Sequence, residues 1–224
     1  MSAALGPEWD EHAIGRAITP IRLQSYRSAA RGDLHAALRL YDWNAVASAA
    51  VLMTVAMVEV ITRNAMDSQL TAWAARRGEP SWFDTIPLDG KALAALEHAF
   101  RKVEAAPCGN DFHGKVVAEL SFGFWRILVA QRYLTSLWVP ALNKAFPYGY
   151  RDIRERRLRV EQNLAALVAV RNRAAHHEPI HGRDLLADLR SAVEVATWVD
   201  VDAGAWVAAR SPLESVVRRR PRAG

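Results

Sequence analysis

The stretch VAVRNRAAHHEPIHG, residues 168–182, gathers most of the side chains that could do chemistry. Two chemistries overlap in it. His177-Glu178-Pro179-Ile180-His181 has the letters HExxH. In that arrangement two histidines one helical turn apart bind zinc and the glutamate acts as a general base. Arg171-Asn172-Arg173-Ala174-Ala175-His176 has the letters RNxxxH, an arrangement that could cleave a phosphodiester of RNA without metal. There the 2′-OH is the internal nucleophile, histidine moves protons near neutral pH, and arginine offers a fork of donors to phosphoryl oxygens. An Asn172 amide would orient either group.

Backbone chemistry separates the two. A proline inside a helix removes a hydrogen bond and clashes with the preceding turn, at ~3 kcal/mol or more, and it pushes the residue before it out of the helical region. Pro179 stands between the two histidines, and Glu178, the would-be base, precedes it. Gly182 then follows as in a turn. The zinc reading is therefore set aside, and no metal or other cofactor is expected. RNxxxH asks for less: Arg171 and His176 are five residues apart, about 1.4 turns, within reach of one another across a fraying helix end. His176 is the first choice for proton transfer and His177 the second, and the sequence leaves that choice open. Arg173 is a further cation for RNA.

Glu59, Arg63 and Asn64 are the supporting candidates. Glu59 lies between Val58 and Val60 in a very apolar segment, and a partly buried carboxylate needs a partner. Arg63, one turn on, could simply pair with it. Alternatively Glu59 could meet Arg171 or His176 from the motif segment, with Asn64 adding a hydrogen bond.

The elements that must hold these residues read as helices. Alanine, leucine and arginine dominate, and Val/Ile/Thr alternation is scarce. Thr19-Pro20 resembles an N-cap with proline at the first helical position, and Gly32 stops that helix. Asp33 caps a short helix, and Asp42 or Asn44 opens a second, longer one that runs to about Arg77. A loop follows, then helices after Asp89-Gly90 and from Asp111. The aromatic stretch 119–147 reads as mostly helical with a kink at Pro140. Asp152 starts a helix to about residue 175, and Arg183-Asp184 opens the last long helix, ending near 202–204. Phe122, Phe124, Trp125, Tyr133 and Trp138 fall at helical spacing and read as core before base-stacking platforms. Trp198 and Trp206 read as packing residues. His12, His35, His98 and His113 are scattered and receive no chemistry.

Composition bounds the rest. The chain has 224 residues, half of them apolar, enough for a proper core. A single cysteine, Cys108, excludes an intramolecular disulfide and a cysteine zinc site and fits a reducing cytoplasm. The start lacks the basic-then-apolar pattern of a secretory signal. The apolar run 45–62 is Ala-rich and interrupted by Glu59, so it reads as a buried helix, with no membrane partner expected. Lys plus Arg outnumber Asp plus Glu by 29 to 24, and VVRRRPRAG at the end places four arginines in five residues. Such a tail is a solvated end or adds contacts to a polyanion.

RNRAAHHEPI resembles the terminal motif of the Abi-like family, bacterial abortive-infection proteins of the HEPN superfamily. LYDWN (40–44), EVITRN (59–64), ELSFGFW (119–125), LWVPALNKAFP (137–147) and WVDVDAGAWV (198–207) resemble further blocks of that family, in the same order. The resemblance covers about residues 20–210. It implies an all-α, HEPN-like helical bundle with long central antiparallel helices, spanning 19–210 after a 1–18 extension and before a 211–224 basic tail. It implies a cytoplasmic homodimer and, for many relatives, metal-independent endoribonuclease activity in phage defence or a toxin–antitoxin-like system. A two-fold pairing would bring two His176 side chains to one cleft. RNA is the expected substrate, and an antitoxin protein or a regulatory RNA the expected restraint. A non-catalytic module that binds RNA or protein is the alternative.

Overall fold

The computed structural model describes residues 9–105 and 111–221. Cys108, the first eight residues of the 1–18 extension and Arg222 of the basic tail lie outside them. The described residues form helices and no strand, so the fold is all-α, as the residue patterns require.

The spine is α3 (Leu34–Ala75), 42 residues and thus roughly 63 Å at 1.5 Å per residue. Asp33 caps it, its side chain accepting from the Ala36 N–H. The expected break at Asp42 or Asn44 does not occur. No glycine or proline interrupts the segment, and Asn44 turns its side chain across to another element instead of capping its own. Val51, Val55, Val58, Met66 and Leu70 form the buried face. By length and composition alone α3 could cross a membrane, but this face is occupied by the bundle.

Before the spine come α1 (Glu11–Ile18) and α2 (Pro20–Ala29), which pack on its first half. After it come α4 (Trp82–Thr85), α5 (Gly90–Glu104), α6 (Phe112–Glu119) and α7 (Phe122–Leu128). The chain then departs from the expected kinked helix. Ser121 caps α7, and two 3-10 turns (131–133 and 142–145) flank a π-helical segment, Leu134–Trp138. The aromatics of this region are core, as expected: Phe122, Phe124, Trp125, Tyr133 and Trp138 are each at most 3% exposed.

Helix α8 (Ile153–Ala175) is capped by Asp152, whose carboxylate accepts from the Arg154 and Glu155 N–H groups. It runs antiparallel to α3. Its N-terminal end shares bonds with the 138–145 region (Trp138 Nε1 to Ile153 O, Arg156 Nη1 to Asn143 O), which also receives Arg76 from the far end of α3. Beyond its C-terminal end, Ile180 meets Asn44 near the start of α3.

Helix α9 (Leu185–Val199) packs on both. It was expected to continue to 202–204, but Asp200 adopts an extended backbone and caps a new helix, α10 (Val201–Arg210), through the Asp202 and Ala203 N–H groups. Gly204 makes the reversal compact: a Cβ there would lie 2.8 Å from the Thr197 Cα. Trp198 is buried, whereas Trp206, read as a packing residue, is 48% exposed. Residues 213–218 of the basic tail form α11 (Leu213–Arg218), docked through Leu213 and Val216, with the Trp43 indole donating to the Val216 carbonyl.

Candidate functional site

Helix α8 turns a stripe of Val160, Leu164, Leu167 and Ala174 into the core. Val170 continues that stripe, fully buried, and Arg171 flanks it at the next position. Arg171 is partly buried, and a guanidinium cannot shed its charge there. Its counterpart is Glu59. Burial pushes the Glu59 carboxyl above the usual carboxylate range, against the pull of Arg171 first, Arg63 second, and a hydrogen bond from the Phe122 N–H third. Glu59 thus lies in the electrostatic field of both arginines, the two alternatives of the sequence reading. The ELSFGFW block enters the site through its backbone, at the start of α7. The Arg63 Nε is buried without a partner. Asn64 is exposed and takes no part in this network.

The histidines stand at the end of α8. His176 is the C-cap, and its N–H bonds the Asn172 carbonyl. The His177 N–H bonds Ala174 O and the Glu178 N–H bonds Arg173 O, the two-bond Schellman closure. That closure requires a left-handed residue, and His177 takes it with φ 57°. Glycine would be the strain-free choice, and a side chain there costs on the order of 1 kcal/mol. Both histidine side chains are exposed. Asn172 is exposed too, its Oδ1 3.3 Å from Arg171 Nη1. Arg173 is engaged with the exit turn, donating to Pro179 O at 3.0 Å and lying 3.6 Å from the Glu178 carboxylate.

The exit turn disposes of the helical HExxH geometry. His177 ends a helix rather than sitting within one. His181 packs its ring on Tyr26 with centroids 4.8 Å apart and places Nε2 3.3 Å from Ser25 Oγ. Burial, and then Arg220, pull His181 below the ordinary histidine range. No group of three or more metal-ligating side chains occurs among the described residues.

Two side chains fix this turn. Asn44 accepts the Ile180 N–H at 2.8 Å in a buried bond. Arg183 grips the buried Asp188 with two bonds of 2.6 and 2.7 Å and also donates to Ala166 O. In the sequence LYDWN is a family-like block and its Asn44 a candidate helix cap. Asn44 is instead the residue that holds the turn, across 136 positions, a separation no local pattern could reveal.

Beside the histidines, α3 leaves an apolar stripe uncovered. Val46, Met53 and Val60 are 53%, 50% and 43% exposed, and Ala49 and Ala56 between them are exposed as well. The spacing of three and four over 46, 49, 53, 56 and 60 is that of a helix–helix seam. Ala49 also lines a cleft of about 300 Å³ to which His177 contributes.

No family model matches the chain, and neither a curated protein nor a solved structure does.

Proposed function

We propose that the chain is a metal-independent endoribonuclease, an Abi-like member of the HEPN superfamily acting as a cytoplasmic homodimer in a bacterial phage-defence or toxin-like system. The observation that carries the reading is the placement of Arg171. A partly buried arginine flanking the core stripe of α8, in the field of Glu59, stands about one and a half turns before two exposed histidines.

In this reading Arg171 binds the non-bridging oxygens of the scissile phosphate, with Glu59 and Arg63 setting its orientation and Asn172 beside it. One histidine takes the proton of the 2′-OH, the 2′ oxygen bonds phosphorus, and the bond to the 5′ oxygen breaks. A second histidine protonates that leaving oxygen. The products are a 2′,3′-cyclic phosphate and a 5′-hydroxyl. His176 and His177 supply the two proton transfers, from one copy or both. The exposed seam on α3 supports the homodimer: a second copy laid on it two-fold would cover the apolar stripe and bring two motif ends together. Unchecked cleavage harms the host, so a neutralising protein or a regulatory RNA belongs to the system.

The test is incubation of the purified chain with labelled RNA in EDTA, with analysis of product termini. Cyclic phosphate ends are expected, with activity falling at least ~100-fold, the scale of a lost acid–base group, in Arg171→Ala and in His176→Ala or His177→Ala. Cleavage that survives the double histidine variant would overturn the mechanism. Saturable, salt-sensitive RNA binding without product would instead favour a binding module.

A further inference from the structure

The first two helices carry cations that nothing else in the fold uses. Two hollows open there beside Arg27. The smaller, about 170 Å³, lies between α1, α2 and the start of α3, with His12, Arg16 and Arg27 as its polar lining and Leu23 and Leu34 as its apolar wall. The larger, about 570 Å³, runs along α2, with Gln24, Ser28 and Arg31 beside Pro20 and Ile21. Arg27 and Pro20 line both, so the two adjoin. Among the described residues no carboxylate lines either hollow. The nearby acids are engaged: Glu11 with His35 at 2.5 Å, Asp33 as the cap of α3, and Asp10 as the cap of α1. Asp10 also stands 3.8 Å from Arg16, but both side chains are mostly exposed, and water screens such a pair. The side chains of His12, Gln24, Arg27, Ser28 and Arg31 have no hydrogen-bond or ion-pair partner among the described residues. The joint between the two helices is strained as well. Thr19 holds φ 80°, a region that a β-branched residue rarely enters, and its N–H bonds the Arg16 carbonyl at 3.2 Å. Strain of this kind gathers at ligand sites.

Cations of one sign around a hollow concentrate anions in it, and arginine forks match phosphate oxygens. The smaller hollow lies below the usual size of ligand sites and suits a compact anion, whereas the larger lies within their range. There Pro20 and Ile21, the latter 86% exposed, offer a flat ring an apolar face. Gln24 and Arg31 are of the two residue types whose paired polar atoms match purine edges. We infer that the α1–α2 surface binds a purine 5′-nucleotide, its phosphate at His12, Arg16 and Arg27 and its base along Pro20 and Ile21 toward Gln24 and Arg31. A free nucleotide and the 5′-phosphorylated end of an RNA share this chemistry. The site contains none of Glu59, Arg171, His176 or His177, so it stands whether or not the chain cleaves RNA.

Calorimetric titration of the full chain with inorganic phosphate and the four nucleoside 5′-monophosphates tests this, using wild type, Arg27→Gln and Gln24→Ala. Both substituted residues are exposed, so the variants should melt as wild type does. The expected result is purine binding at least ~10-fold tighter than pyrimidine or inorganic phosphate binding. Arg27→Gln should weaken every nucleotide at least ~10-fold, the scale of a lost charge-assisted hydrogen bond, and Gln24→Ala should narrow the purine preference. A 2′-deoxy oligonucleotide with a purine 5′ end, which the 2′-OH chemistry cannot cleave, separates the two sources. Tighter binding of its 5′-phosphorylated form than of the mononucleotide, lost in the 5′-hydroxyl form, assigns the site to an RNA end; equal binding of mononucleotide and oligonucleotide assigns it to a free nucleotide. Absence of nucleotide binding at millimolar concentration, equal binding of purines and pyrimidines, or unchanged affinity in Arg27→Gln overturns the inference. Loss of cleavage in Arg171→Ala with nucleotide binding retained leaves this site standing, and so the two readings fail separately.

Discussion

Glu59 decides the charge balance around Arg171. Burial holds its carboxyl above the usual range in spite of two arginines and the Phe122 N–H. The folded chain therefore grips that proton more tightly than the unfolded chain does. This contribution to stability is fully present below the unfolded carboxylate pKa and is lost as pH rises through the folded one. Glu59→Gln should flatten the dependence. The variant is expected to melt ~2 °C above wild type at pH 7, in line with a fraction of a kcal/mol for a chain of this size, and to converge on it near pH 4. Thermal unfolding across that range checks this, and a wild type that is the more stable at pH 7 would show that the arginines outweigh burial. In activity assays the same variant should weaken RNA binding through Arg171 more than it alters the proton-transfer step. At this scale the sequence was readable where chemistry is local. RNxxxH brought Arg171 and His176 to one helix end, with His177 as the neighbouring alternative, and the EVITRN block singled out Glu59. The unpartnered hydroxyls of Tyr26 and Ser48 were missed, because an unsatisfied hydroxyl is a property of packing and leaves no spacing to read.

At the scale of elements, the turn after α8 is the joint on which the histidines depend, and Asn44 is its fastening. Asn44→Ala would leave the Ile180 N–H buried and unpaired, at about 1–3 kcal/mol. The expected outcome is a lower urea midpoint together with reduced cleavage, as the Schellman end and His177 lose their support. Equal stability in the alanine variant would show that the bond is dispensable. Helix boundaries illustrate what one chain of letters can and cannot convey. Asp33, Asp111, Asp152 and Asp184 all cap where expected, since a cap is decided within three residues. Asp42 and Asn44 are the same residue types but cap nothing, because α3 continues through them and Asn44 is claimed by a turn far along the chain. Asp200 does cap, cutting the last expected helix in two, and nothing near it distinguishes it from Asp42 by type alone. The π-helical segment at 134–138 ends two residues before Pro140, so the proline marks an irregularity, while the kind of irregularity has no signal in the spacing.

For the whole molecule, the uncovered seam of α3 is the feature that outweighs others. Met53→Glu should place a charge at its centre without touching the core, and the expected result is a shift from dimer to monomer by light scattering. Cleavage should fall with it, while the helical circular dichroism signal is retained. A chain that is monomeric before the substitution, or a dimer unaffected by it, would assign the stripe elsewhere, and recovery of the wild type with lipid vesicles would point to a membrane surface. The overall all-α class was legible from composition and periodicity, because helix-forming residues dominate nearly every segment. The uncovered stripe was not legible: its valines and methionine look like core residues until the bundle is seen to leave them out.

That stripe borders the histidine end of the same chain, and this adjacency has a kinetic meaning. If the working site forms only where two seams meet, the rate of RNA cleavage grows with the square of chain concentration while monomers prevail. A slow leak of synthesis would then be harmless, and a sudden rise in copy number would arm the enzyme before any separate trigger acted. Dilution through cell division would disarm it again. The α3 seam would in that case set a dose threshold as well as an assembly state.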